Sequence, residues 1–183
     1  MRLAYWRSGI NLALLSGGFF VAFAGYNTLQ AFATTILPGK LGSLSLTVVY
    51  VAVALTVPVS PMIVGYLGLR TSMFVGACCY FLYEISTAFP EPWFVICSAI
   101  LLGSGAGVLW VSFGEYNSAN AADGSSYGFA NGLFWSVFQM SNVVGPIGAG
   151  AYLSSGQGST KPFLLGLACA GALGAVLLGM LQS

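Results

Sequence analysis

The sequence predicts an all-α integral membrane protein that folds as one bundle of six transmembrane helices. Three observations predict it: 57% of the 183 residues are hydrophobic, only 5% are charged, and six long apolar runs are separated by short polar turns. A soluble domain carries about a quarter charged residues, so this chain cannot cover a globular surface in water. We therefore expect the lipid bilayer to be its main solvent.

The first three predicted spans cover residues 9–36, 41–67 and 71–89. The first follows two arginines, and its apolar run is about twice the 7–15 residues of a signal-peptide core, so we expect a retained helix. Pro38-Gly39-Lys40 separates the first span from the second, and Gly68-Leu69-Arg70 separates the second from the third. Each run reaches or approaches the roughly 20 residues that cross a bilayer.

The last three predicted spans cover residues 93–121, 128–153 and 162–181. Pro90-Glu91-Pro92 ends the third span, because proline disfavours helix at itself and at the residue before it. Pro162 suits the first turn of the sixth span. The loops are short, so we expect a single multi-pass domain over residues 1–183 with no soluble part.

Composition also limits the possible functions. The chain has no histidine, which excludes Ser-His-Asp and Cys-His sites and histidine-bound zinc. Its net charge of +1 offers no field for nucleic acid. The four cysteines lie in apolar runs and are predicted to be unpaired small hydrophobes. We therefore expect no enzyme activity, no cofactor, no metal site and no nucleic-acid partner.

Polar side chains inside the first and fifth spans are the main candidates for a functional surface. Tyr26, Asn27 and Gln30 lie together in the first span, and Gln139 and Asn142 lie in the fifth. Polar groups in lipid usually face the protein interior or a water-filled cavity. Two interpretations are open: hydrogen bonds between helices, worth about 0.6 kcal/mol each, or the lining of a cavity.

Glu84 is the acidic residue that the pattern places deepest in the membrane. No lysine or arginine lies inside a predicted span to pair with it, and an ionised carboxylate alone in lipid is costly. The neutral acid is therefore favoured. Glu84 is either a proton-sensitive residue or a neutral acid bonded to Tyr80 or another polar neighbour.

Glu115 lies about 33 Å along its helix from Trp93, beyond the roughly 30 Å thickness of the hydrocarbon. With the N-terminus in the cytoplasm, which the loop arginines favour weakly, Glu115 and Arg70 lie on the cytoplasmic side. We expect them to form an ion pair that ties the loop after the second span to the end of the fourth. The alternative is that Glu115 lines the inner mouth of a cavity.

Taken together, several motifs in order resemble a known family. They are Tyr26 to Gln30 in the first span, Gly76 with Tyr80 in the third, Gly103 to Trp110 in the fourth, and Gly132 to Trp135 with Gln139 in the fifth. The chain resembles the N-terminal six-helix half of a major facilitator superfamily protein, and more narrowly the Unc-93-like branch. The likeness extends over nearly the whole chain.

Four residues are predicted to serve helix packing. Gly103 and Gly107 are four apart, the small-residue spacing that lets membrane helices approach closely. Gly145-Pro146 is similar to the antiporter motif of the fifth facilitator helix, although the spacing differs. The chain also departs from the branch at Phe113-Gly114-Glu115, where a glutamine is usual before the glycine, and Glu115 fills a variable position.

The resemblance implies more about fold than about activity. The branch includes a regulatory subunit of potassium channels, a trafficking chaperone and orphan transporter-like proteins, and its members have twelve helices. We expect a regulatory or scaffold-type membrane protein that is incomplete without a second six-helix half or a partner membrane protein. The alternative is a secondary transporter of a small solute, either a facilitator or proton-coupled.

Overall fold

The computed structural model is helical throughout the residues it describes. Its backbone covers residues 2–120, 124–155 and 160–181, and its side chains cover 9–119, 127–155 and 160–181. The α-helices in these ranges are α1 (Arg2–Ile36), α2 (Leu41–Thr56), α3 (Ser60–Leu67), α4 (Leu69–Thr87), α5 (Pro92–Asn120), α6 (Gly124–Ser154) and α7 (Thr160–Gly179). The prediction of an all-α chain is confirmed.

The second predicted span is not one continuous α-helix. α2 ends at Thr56, the segment Val57–Val59 forms a 3₁₀ turn, and α3 begins at Ser60. Pro58 lies in this turn, and Pro61 is the second residue of α3. Proline has no N–H to donate and its ring crowds the preceding turn, so the α-helical hydrogen-bond ladder is interrupted there.

A glycine makes the turn from α3 into α4. Gly68 has a φ of 81°, a left-handed value that glycine adopts without a steric penalty. α1 begins at Arg2, earlier than the predicted first span, and the predicted end of the fourth span, Ala121, lies outside the described residues.

The helices pack in a regular pattern. α1 lies against α6 and α7, α5 lies against α2 and α4, and α4 lies against α7. α2 and α6 therefore each have one main neighbour, which leaves wide surfaces of both helices exposed. Large apolar side chains on these surfaces include Leu55, Met62 and Tyr66 on α2 and α3, and Phe129 and Ile147 on α6.

Small residues allow two of these contacts. A Cβ atom on Gly103 of α5 would lie 2.5 Å from the Cβ atom of Ala52 in α2. A Cβ atom on Gly145 of α6 would lie 2.5 Å from the hydroxyl of Thr28 in α1. Gly107 lies one turn from Gly103 on the same face and is close to Ser60 and Thr56. Pro146 lies within α6, which continues past it.

Among the described residues, four helical segments are long and apolar enough to cross a membrane. They are Gly9–Ile36, Leu41–Leu67, Pro92–Ala119 and Thr160–Gly179. α4 and α6 are less apolar, because α4 carries Arg70 and Glu84 while α6 carries Asn131, Gln139 and Asn142. The helices are those of an integral membrane protein.

Candidate functional site

α1 carries a polar stripe that reaches the helices on both sides of it. Asn27 donates a 3.0 Å hydrogen bond from Nδ2 to the hydroxyl of Ser141 in α6. Gln30 donates from Nε2 to the hydroxyl of Tyr50 in α2. Residues three apart share one helix face, so α1 links α2 and α6 through neighbouring side chains.

α6 continues this polar surface. Gln139 and Asn142 are exposed and bond to each other, with 2.8 Å between Asn142 Nδ2 and Gln139 Oε1. One turn before Gln139, the partly exposed Trp135 stacks on Trp110 of α5, with ring centroids 5.9 Å apart. We use the name polar groove for the exposed and partly exposed polar side chains that α1, α2 and α6 carry, which are Gln30, Tyr50, Trp135, Gln139 and Asn142.

Buried aromatic rings form the floor of the polar groove. Phe19 of α1 is fully buried and contacts rings from α5 and α6, including Phe113 at 5.2 Å and Phe134 at 5.1 Å between centroids. Edge-to-face and offset ring pairs add to the stability that burial provides. The full set of floor rings is Phe19, Phe23, Trp110, Phe113, Phe134 and Phe138.

Tyr26 belongs to the buried core and not to an open cavity lining. It is only 6% exposed and packs at right angles to Tyr80, with centroids 4.9 Å apart. Tyr83 lies on the far side of Tyr26 and shares a 3.0 Å hydrogen bond with Ser45. A tyrosine can pack in a core through its aromatic ring or lie at a polar surface through its hydroxyl. Tyr26 packs in the core.

Glu84 lies where α1, α4 and α7 meet. Its side chain is fully buried, and neither carboxyl oxygen has a hydrogen-bond partner among the described residues. Of the two alternatives, a neutral acid bonded to Tyr80 or to another polar neighbour is thus not seen among the described residues. The carboxyl group points between Gly25 of α1 and Gly171 of α7: a Cβ atom on Gly25 would lie 2.6 Å from Oε1, and one on Gly171 would overlap Oε2. We call this place the Glu84 contact.

Arg70 has a different partner from the predicted one. Its Nε donates a 2.7 Å hydrogen bond to the carbonyl oxygen of Gly179, and its Nη2 donates to the same atom. No ion pair joins Arg70 to Glu115, both of which are described and exposed. The last carbonyls of a helix lack partners and carry partial negative charge, so the end of α7 attracts the guanidinium.

The C-terminal end of α5 and the N-terminal part of α6 are joined by amide side chains. Asn117 donates a 3.0 Å hydrogen bond from Nδ2 to Oδ1 of Asn131. This pair was not predicted from the sequence. The contacts of Tyr50, Ser141, Gly25 and Gly171 were not predicted either. Tyr50 could have been predicted as a candidate, because its hydroxyl is a polar group inside an apolar span. No sequence pattern indicates that a glycine will lie opposite a carboxyl group of another helix.

The described side chains contain no cluster of three or more potential metal ligands. All four cysteines are unpaired: Cys78 and Cys79 are half-buried, and Cys97 and Cys169 are exposed. The arrangement can offer amides, hydroxyls and aromatic rings to a neutral ligand or to another membrane protein.

A comparison with known families identifies the group of proteins to which this bundle is related. The sequence pattern of the family described as "Ion channel regulatory protein UNC-93" matches residues 34–173, which is most of the chain. The chain belongs to the UNC-93 family. The Unc-93-like resemblance in the helix motifs is thereby confirmed.

Curated relatives agree with this assignment. The chain is 28% identical over 158 residues to UNC93-like protein 3 of Arabidopsis thaliana, covering 81% of this chain and 34% of the relative. It is 27% identical over 146 residues to UNC93-like protein MFSD11 of Xenopus tropicalis, covering 76% and 33%. It is 27% identical over 150 residues to Protein unc-93 homolog A of Homo sapiens, again covering 76% and 33%. The chain thus spans about a third of the length of these relatives.

Proposed function

We propose that this chain is part of a regulatory or scaffold-type membrane protein that acts by binding another membrane protein through its polar groove and the exposed side of α6. It crosses the membrane six times, with α2 and α3 together forming one span. It has no enzyme activity and needs no cofactor. A second six-helix half, covalent or supplied by a partner chain, completes the protein.

The pairing of the helices supports a facilitator-type half. α1, the first span, contacts α6 and α7, which are the fifth and sixth spans. α5, the fourth span, contacts α2 and α4, which belong to the second and third spans. The first helix of each set of three therefore packs against the second and third helices of the other set. α4 and α7, the third member of each set, contact each other. Nested repeats of three helices within six are typical of the facilitator architecture. The greater length of the relatives agrees with a protein that has further helices.

The observation that favours regulation over coupled transport is the distribution of charge. Coupled transporters place ionisable groups along an accessible path. Here the polar groove contains amides, a phenol and an indole, while the one acidic side chain deep in the bundle, Glu84, is sealed away from it. Outside residues 1–8, the basic residues Lys40, Arg70 and Lys161 all lie at helix ends or in turns. A groove of neutral polar groups suits a protein or lipid partner.

The exposed residues of α6 form two neighbouring stripes. One stripe is polar and aromatic, with Trp135, Gln139 and Asn142, and the other is apolar. The members of the apolar stripe are Phe129, Leu133, Met140, Val143 and Ile147. A polar stripe beside an apolar one suits a helix that lies at the border between a protein contact and lipid.

Two measurements test the proposal. Cells that express a potassium channel are recorded with and without the full-length protein that contains this chain, and the purified protein is assayed for solute uptake in liposomes. We expect altered channel current, loss of that effect in a Gln139→Leu/Asn142→Leu variant, and no uptake. The matched control is Val143→Ala on the apolar stripe, which keeps the effect on the current.

The second candidate is a transporter of a small neutral solute, which the same groove of amides and aromatic rings favours. Uptake into liposomes that depends on Gln139 and Asn142, together with unchanged channel current, would support that function and reject regulation. The six-span arrangement is tested separately with single cysteines in a background free of native cysteines. Ser155→Cys is expected to react from outside intact cells, and Ser125→Cys only after the membrane is opened.

A further inference from the structure

The Glu84 contact places a carboxyl group in a closed, apolar part of the bundle. Gly171 lies eleven residues into α7, about 16 Å from the helix start, so the carboxyl group faces the middle of a span. One helical turn beyond it, Leu29 of α1 and Ala88 after α4 form a small buried apolar cluster with Leu164 of α7.

Among the described residues, no basic side chain lies near Glu84 to supply a compensating charge. The ionisable groups around it are tyrosines: Tyr80 lies one turn away on α4, Tyr83 precedes it, and Tyr26 follows Gly25 on α1. On α7, Lys161 is ten residues from Gly171, about 15 Å away. Its ammonium group lies 4.2 Å above the ring of Phe89.

In the part of the chain that the structure describes, the remaining neighbours of α4 offer no partner for the carboxyl group. Cys169 of α7 and Cys97 of α5 are exposed on outer surfaces. Ser98 of α5, which lies opposite this end of α4, donates to Ser86 at 2.7 Å. Tyr66 of α3 lies at the other end of α4 and is 90% exposed.

We propose that Glu84 is a proton-binding site, in which one proton from the aqueous phase joins the carboxylate to give a neutral acid that α1, α4 and α7 enclose. An unpaired carboxylate that is buried away from water carries a large desolvation cost, and binding the proton removes that cost. The two glycines give the site its shape, because a side chain on either would occupy the volume of the carboxyl group. Release of the proton requires α1 or α7 to move and admit water or a cation.

The small number of acids in the chain makes this proposal directly measurable. The side-chain carboxyls are Glu84, Glu91, Glu115 and Asp123. Infrared spectra of the purified chain at pH 7, in a maltoside detergent that has no ester carbonyl, separate protonated from ionised carboxyl groups. We expect one protonated acid in the natural chain, its loss in Glu84→Gln, and its retention in Glu91→Gln and Glu115→Gln. Absence of a protonated acid at pH 7, or an unchanged band in Glu84→Gln, overturns the proposal.

Two further variants keep the test decisive if Glu84→Gln does not fold. The combined Glu91→Gln, Glu115→Gln and Asp123→Asn variant retains Glu84 as its single side-chain carboxyl, so the protonated band must persist there. Gly171→Ala is expected to lower the melting temperature, and most of that loss is expected to disappear in the Glu84→Ala background, where the carboxyl group no longer occupies the space. An equal loss in both backgrounds would show that the carboxyl group does not lie against Gly171.

Discussion

The polar groove and the Glu84 contact lie on different sides of α1, and they differ in the exposure and hydrogen bonding of their polar groups. In the groove, the amide side chains are exposed and bonded to one another, as Asn142 is to Gln139. At the Glu84 contact, a carboxyl group is fully buried and has no partner among the described residues. A satisfied, exposed polar surface can exchange its bonds with a partner at little cost, whereas an unsatisfied buried acid must change its charge or its surroundings. The groove is therefore suited to recognition, and the Glu84 contact to proton binding.

The largest expected effect concerns the floor of the groove. Phe19→Ala should lower the free energy of unfolding by about 3–5 kcal/mol, because it leaves a cavity among rings of three helices. Thermal unfolding in detergent measures it, and Phe129→Ala, at an exposed ring of α6, is the matched control and should change little. A small effect of Phe19→Ala would mean that the floor is open to water, which would remove the contrast with the dry Glu84 contact.

The next effect concerns the Glu84 contact. Gly171→Ala should destabilise the fold by about 1–3 kcal/mol, since the added methyl overpacks against the carboxyl group. Gly166→Ala on the same helix, where a Cβ atom meets no neighbour, is the control and should be neutral or slightly stabilising. Equal unfolding temperatures for the two variants would show that α4 and α7 are not in close contact at Gly171.

A smaller loss of stability is expected when the hydrogen bond between Asn27 of α1 and Ser141 of α6 is removed. Asn27→Ala and Ser141→Ala should each cost about 0.6 kcal/mol, and the double variant should cost less than the sum because the bond is lost only once. Unfolding of the four proteins in the same detergent gives the coupling energy. Strict additivity would indicate that Asn27 bonds to water and that the groove is wet at this depth.

The last prediction changes stability least and separates the two stripes of α6. In a background free of native cysteines, Gln139→Cys should react with a charged thiol reagent, while Met140→Cys on the apolar stripe should not, because lipid excludes charged reagents. The rate of labelling in membranes is the measurement. If neither cysteine reacts, and Gln139→Cys becomes reactive in cells that lack a partner membrane protein, then that protein covers the groove.

The motifs of the sequence predicted more of the fold than of the site. Runs of apolar residues and proline-containing turns indicated where helices begin and end, and the interruption by Pro58 was the main difference. At the level of side chains, the sequence marked Asn27 and Gln30 as polar candidates, but their partners Ser141 and Tyr50 lie 114 and 20 residues away. Spacing along one helix cannot specify which residue of another helix it meets.

By itself, the sequence determined the all-helical membrane character of this protein and its family, because hydrophobicity, turn residues and motif order are properties of local segments. Only the tertiary structure decided that Tyr26 is core, that Arg70 bonds to the end of α7, and that Glu84 lies between two glycines. These outcomes depend on which helices pack together and at what depth. The sequence around a glycine does not show which group of another helix will lie against it. The cost of burying a charge follows from that packing, so the special status of Glu84 becomes visible only when the three helices are together.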